Sequence, residues 1–318
     1  MPWTTLGARR RPGFLLTGRL FPLHGRYLSR LRTFRRTHLQ LPNPGPELTV
    51  LEPDSSPSLQ RAVSIYTYLH MNVIFGIHAV SEALKARGRA FEWVGVAKER
   101  HDLRLQRVIQ ECRKVSVAVR FLPRLELDRM AGTASHQGVV AVTSSKQYAD
   151  LDDVIANKRG QFSLLVVLDG VEDPHNLGAI LRTADASGAN GVLIPERRAA
   201  GVTGTVAKAS AGASEHLPVA KVTNISRTLE ELKSKGLWIV GLDERGQQSY
   251  EAIDYKMDCA IVLGAEGKGL HEQVGRKCDF LVSIPVLGKV PSLNVSVAAG
   301  VVLYEAVRQR RNTAGRGA

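Results

Sequence analysis

The stretch SLLVVLDGVEDPHNLGAILRTA, residues 163–184, decides the fold. Its opening run, Ser163 to Leu168, is apolar without alternation, the pattern of a strand buried on both faces of a parallel sheet. A turn-rich segment from Asp169 to His175 follows. From Leu177 to Ala186 the apolar residues recur every three or four positions, which predicts a helix. Asn176 stands where an N-cap is expected, and Arg182, six residues on, falls in the second turn. Taken singly, Asn176 reads as a cap and Arg182 as a surface cation. Together, at a strand-to-helix junction, they can edge a phosphate or ribose, because the free N–H groups of a helix start favour anions.

The alternation continues to Arg311. Strands are expected at Gly191 to Ile194, Leu237 to Leu242, Asp258 to Leu263 and Phe280 to Ile284, and helices at Thr203 to Ala211, Ser226 to Lys235 and Val295 to Gln309. This is an α/β arrangement with a parallel sheet, whose ligands bind at the carboxyl ends of strands. Two further loops leave such ends. GAEGKGL, residues 264–270, holds three glycines in six residues, with Glu266 as its only acid. A Walker loop would need Gly at Val262 and Ser or Thr at Gly269, so that reading fails on spacing. No GxGxxG follows a strand, which disfavours a dehydrogenase. The third loop, IPVLGKVPSLN at 284–294, enters a helix whose Ser296, Ala298, Ala299 and Gly300 allow close backbone packing. Core packing alone accounts for that helix. Three loops bearing Gly, Asn and Ser after three strands of one sheet point to a ligand site.

Residues 71–143 form a smaller block in which strand and helix patterns alternate from Val73 to Thr143. Residues 144–160 read as a connector with room for one helical turn, 161–312 as the larger domain and 313–318 as a tail. Residues 1–70 hold ten arginines, no lysine and three acids, more than half of the chain's net charge of +13, and lack periodicity. They are expected to be a disordered basic extension. A basic RNA-binding tail, an Arg-rich organelle transit segment and an over-called start upstream of Met71 are all open readings. The basic surplus suggests a nucleic-acid partner. Cys112, Cys259 and Cys278 have no metal or disulfide spacing and suit a reducing compartment. No apolar run approaches the roughly 20 residues of a membrane span. His136 reads as turn-stabilising or RNA-contacting, and Lys85, Arg87, Arg89, Lys98, Arg100, Arg104 and Arg107 as a phosphate-contacting face or as solvated surface.

DPHNLGAILRTA, LGAEGKGL and IPVLGKVPSLNVSVAAG resemble, in order and spacing, the three motifs of the SpoU (TrmH) branch of the SPOUT RNA 2′-O-ribose methyltransferases, across residues 163–310. FGIHAVSEAL and HQGVVAV resemble the substrate-binding domain of the same enzymes, related to the L30e and L7Ae ribosomal fold. EHLPVAKVTNISRTL, residues 215–229, is most similar to the bacterial 23S rRNA guanosine 2′-O-methyltransferases of the RlmB type. Pro291 and Lys268 are local departures.

The resemblance implies a C-terminal trefoil-knotted parallel-sheet domain behind a smaller L30e-like α/β RNA-binding domain. It implies S-adenosyl-L-methionine held by the backbone at Gly264, Ile284 and Leu293, with no metal. Asn176 and Arg182 would hold the target phosphate and ribose, and Glu266, Ser292 and Asn294 would complete the hydroxyl and cofactor contacts. A guanidinium stays protonated near neutral pH, so Arg182 suits stabilising a forming alkoxide better than abstracting a proton. Ribosomal RNA (23S) as substrate, a homodimer formed through the last helix and a cytoplasmic location also follow as expectations. A tRNA 2′-O-methyltransferase and a catalytically silent ribosome-assembly RNA-binding factor are the alternatives.

Overall fold

The computed structural model describes residues 35–36, 51–52, 72–100, 102–265 and 267–314. Residues 1–67 and 68–318 are separate compact units. In the first, β1 (Arg35–Arg36) pairs antiparallel with β2 (Leu51–Glu52). Otherwise the segment read as a basic extension lies outside the described residues.

In the second unit a small sheet comes first: β3 (Val73–Phe75), β4 (Phe91–Ala97), β5 (Val119–Leu122) and β6 (Val139–Thr143), in the order β3-β6-β4-β5. Only the β4–β5 pair is parallel. α1 (Ile77–Ala86) and α2 (Leu103–Lys114) bury Val80, Leu84, Leu105 and Val108 with Val139 and Ala141, while α3 (Arg124–Ala131) buries Leu127 and Met130 with Val140 and Val142. Both faces of β6 are therefore covered, which explains its unalternating sequence. Asp102 caps α2 by accepting from the backbone N–H groups of Arg104 and Leu105. His136 is buried, its Nε2 2.9 Å from Asp128 and its Nδ1 accepting from the Gly138 N–H. Burial pushes its pKa below the usual histidine value against the pull of Asp128. Its contacts are those of a turn-stabilising residue.

The connector carries α4 (Leu151–Ala156) and a parallel bridge from Ala149 to Ala220. It leads into seven parallel strands: β7 (Leu164–Asp169), β8 (Gly191–Pro195), β9 (Val219–Val222), β10 (Trp238–Leu242), β11 (Gln248–Ser249), β12 (Cys259–Gly264) and β13 (Phe280–Ser283). Their order is β11-β13-β10-β12-β7-β8-β9. After β12 the chain recrosses β10 to form β13 on its other side. Leu164, Val166 and Leu168 pack under α5 (Pro174–Ala186) and α9 (Val295–Ala314). Leu165 and Val167 pack under α7 (Ile225–Ser234) and α8 (Glu272–Gly275). Among the described residues no helix is long and apolar enough to cross a membrane.

Three sequence readings need correction. Asp173, not Asn176, is the N-cap of α5: it accepts from the His175 N–H, and Pro174 takes the first helical position, where a missing N–H costs nothing. α9 runs past Gln309 to Ala314, because Arg310 is tied by its guanidinium to the carbonyls of Phe162, Ser163, Tyr255 and Met257. β9 and β11 went unread, being only four and two residues long.

The small sheet docks against the large one through α6 (Gly204–Ala209) and the short turn Ala213–Glu215. A Cβ on Gly204 would overlap the Val73 carbonyl, so this close approach requires glycine. Lys208 donates to the Ser135 carbonyl at 2.6 Å. Arg89 donates twice to the Glu215 carboxylate, at 2.8 and 3.1 Å, with both side chains almost fully buried.

Candidate active site

Parallel strands bring their carboxyl ends to one rim, and there a cavity of about 360 Å³ opens. Ligand pockets commonly span about 300–1,000 Å³. Leu242, Leu263, Ile284, Leu293 and Val295 give it apolar walls, and Gly264, Gly267 and Gly269 bring backbone to its edge. Of the sequence-predicted residues, Gly264, Ile284, Ser292 and Leu293 line it.

Asn176 and Asn294 do not line the cavity, but they meet at its side. Asn294 sits at the start of α9 and caps it, its Oδ1 accepting from the Ser296 N–H at 2.9 Å and the Ser296 hydroxyl at 2.6 Å. Its Nδ2 donates to Asn176 Oδ1 at 3.0 Å, across 118 residues of chain. Asn176 lies in the first turn of α5 and is buried. The starts of two helices, 13 and 20 residues long, therefore meet through their asparagines. Both helix dipoles present their positive ends there, a setting suited to negative charge.

Arg182 is placed elsewhere. At about 100° per residue it falls about 120° around α5 from Asn176. It is exposed, lies outside the cavity lining and makes no hydrogen bond or ion pair with another described residue. Glu266 lies outside the described residues.

Two carboxylates that sequence reasoning missed hold the Gly-rich loop. Asp243, just past β10, accepts from the Leu270 N–H at 2.9 Å, and Asp169, the last residue of β7, accepts from the His271 N–H at 2.9 Å. β10 and β7 flank β12, from which the loop departs, so the loop is pinned from both sides. His271 Nδ1 also approaches Asp169 Oδ1 at 3.0 Å. The Arg245 guanidinium and backbone N–H bond Asp243, which brings its pKa down to about 2 against the opposing effect of burial. The signal was available: both acids stand at the carboxyl end of a strand. A Cβ on Gly264 would overlap the Gly269 carbonyl, so the loop folds back directly over the strand end. Among the described residues no group of three or more His, Cys, Asp or Glu could hold a metal ion.

Two family models match the chain: the SpoU rRNA methylase family over residues 163–304, and RNA 2′-O ribose methyltransferase substrate binding over residues 73–149. A candidate TrmH family tRNA/rRNA methyltransferase of Bacillus subtilis (strain 168), YacO, is 47% identical over 239 residues, covering 74% of this chain and 95% of that protein. The crystal structure of an RNA 2′-O ribose methyltransferase is 26% identical with a TM-score of 0.64, covering 81% of this chain and 97% of the other. The SpoU methyltransferase AviRb from Streptomyces viridochromogenes, in complex with AdoMet, shares the fold at 24% identity and a TM-score of 0.65, covering 81% of this chain and all of AviRb. With one model on each sheet, and a relative matched over nearly its whole length, the chain belongs to the SpoU family of RNA methyltransferases.

Proposed function

We propose that the chain is an S-adenosylmethionine-dependent 2′-O-methyltransferase of ribosomal RNA, acting on a guanosine in the peptidyl-transferase-centre loop of 23S rRNA. The observation that carries the enzymatic part is the Asn294–Asn176 bond, which joins two helix starts beside a glycine-edged apolar cavity. The cavity fits the cofactor: apolar walls suit an adenine and the methylene groups beside the sulfonium, and close backbone at Gly264, Ile284 and Leu293 can read polar edges without charged side chains. When bound, the cofactor supplies an electrophilic methyl group on a sulfonium leaving group.

The chain's own residues then orient a ribose hydroxyl and stabilise its developing charge. Asn176 and Asn294 hold the hydroxyl at the paired helix starts. Ser292 reaches the cavity from the third loop. By the resemblance of the Gly-rich loop, Glu266 would complete these contacts. Arg182, exposed and free of described partners, would take an RNA phosphate and favour the alkoxide by its charge. The proton leaves to the RNA phosphate or to water, which accept it in place of the permanently protonated Arg182.

The guanosine of 23S rRNA rests on the resemblance of residues 215–229, and a separate small lobe suits a large RNA better than tRNA. Val297 and Tyr304, each about half exposed on α9, and Leu287, fully exposed, leave apolar surface that pairing with a second copy would cover. The three free thiols suit the cytoplasm. Mapping 2′-O-methylation in ribosomal RNA from cells lacking the gene tests the assignment. Loss of one guanosine methyl in 23S rRNA is expected; loss of a tRNA methyl instead would overturn the rRNA assignment.

A further inference from the structure

A second cavity, of about 430 Å³, lies between the two lobes. Val73 and Phe75 line it from the small sheet, Lys146 and Tyr148 from the connector, and Thr203 and Gly204 from the large lobe. Its charge is one-sided. Arg89, at its wall, is matched by Glu215 in their buried ion pair. Lys146 is not matched: it is half-buried, and its Nζ donates only to the backbone carbonyl of Glu215, at 3.2 Å. Burial pushes its pKa below the usual lysine range, with Glu215 opposing and Arg89 reinforcing. Two more lysines sit over the rings that line the cleft, Lys208 Nζ at 5.7 Å from the Phe75 centroid and Lys221 Nζ at 4.2 Å from that of Tyr148. Neither makes an ion pair with a described residue.

A partly desolvated ammonium without a carboxylate is costly unless an anion completes it. Here an unmatched ammonium lines a cleft whose mouth is polar, with Asn72, Ser145 and Thr203 exposed, and Lys208 and Lys221 stand over two of the rings that line it. We propose that this inter-lobe cleft is a phosphate-binding site that takes a backbone phosphodiester of the substrate RNA against Lys146, with Lys208 and Lys221 at its rim. The site rests on the RNA-methyltransferase reading. It is lined both from the segment matched by the substrate-binding model and from the segment matched by the methylase model, so a strand held by both lobes would cross it. Phosphate contacts of this kind fix register without reading sequence.

The test is fluorescence anisotropy of a labelled RNA hairpin against the full chain over a series of salt concentrations. Lys146→Met keeps the aliphatic stem and removes the charge. It is expected to weaken binding several-fold at low salt and to flatten the slope of log K against log salt by about 1. Lys146→Arg should restore the slope, and calorimetric binding of S-adenosylmethionine should not change in either variant. Should Lys146→Met lower the melting temperature, Lys221→Met at the rim is read instead and should flatten the slope in the same way. Wild-type affinity and slope in both methionine variants would overturn the site while leaving the enzyme reading intact. A wild-type chain that binds no RNA would overturn the RNA reading on which the site rests.

Discussion

Asn294 donates its side-chain N–H to the side-chain oxygen of Asn176 at 3.0 Å, and this one bond joins the starts of the two helices that pack over the same face of the large sheet. The bond couples the two side chains. Replacing either with Ala therefore disturbs the placement of the other. We expect Asn176→Ala and Asn294→Ala each to lower kcat by about 100-fold, the scale of a misplaced reacting group. The double variant should be little worse than either single one. Single-turnover methyl transfer checks this, and additive losses would show that the two act separately.

Arg182 sits apart from the cavity, so its replacement should separate catalysis from cofactor binding. Arg182→Ala is expected to lower kcat by about 100- to 1,000-fold, the loss typical of removing one charge-stabilising group. Calorimetric affinity for S-adenosylmethionine should stay unchanged. Arg182→Lys should recover part of the rate, because it keeps the charge and loses the planar fork. A weakened cofactor affinity in Arg182→Ala would place this side chain inside the pocket.

The Asp243 carboxylate is held at a pKa of about 2, below its ordinary 3.8, by the hydrogen bonds from Arg245 and Leu270. A depressed acid stabilises the fold above its unfolded pKa, and that stability is lost as pH falls towards the folded value. Arg245 is more than half exposed, so solvent screens part of the effect, and about 1–2 kcal/mol is expected. Asp243→Asn should be less stable than the parent by that amount at pH 7. The difference should close between pH 4 and pH 2 in denaturant titrations. A constant difference across that window would assign the loss to packing.

Glu215 and Arg89 are buried together, and removing one partner strands the other's charge. Glu215→Ala is expected to cost about 3–5 kcal/mol in thermal or chemical unfolding. Replacing both with apolar residues of similar volume should recover much of that loss. Differential scanning calorimetry of the single and double variants decides between a costly orphaned charge and a net stabilising pair.

The parallel sheet was legible because β7 and β12 are buried on both faces and so carry unbroken apolar runs. β9 was hidden by Lys221, whose exposed side chain interrupts a four-residue strand. Gly264, Ile284, Ser292 and Leu293 were legible as cavity lining because glycine and small polar residues had gathered at strand ends. Asn176 misled as a cap: the residue type fits, yet Pro174 sets the helix start three residues earlier and leaves Asn176 to face another helix. Asp169 and Asp243 escaped notice because their partners are backbone N–H groups 102 and 27 residues away, a pairing that only the fold brings about. The inter-lobe cleft was likewise unreadable, since Lys146 and Glu215 are 69 residues apart.

The most direct test follows a radiolabelled methyl group from S-adenosylmethionine into ribosomal RNA. After transfer the RNA is digested to nucleosides and separated by chromatography. The account predicts that the label is recovered in 2′-O-methylguanosine, and that Asn294→Ala lowers its recovery by about 100-fold at a temperature where the variant is folded. Label in a methylated base, or undiminished transfer by the variant, would contradict it.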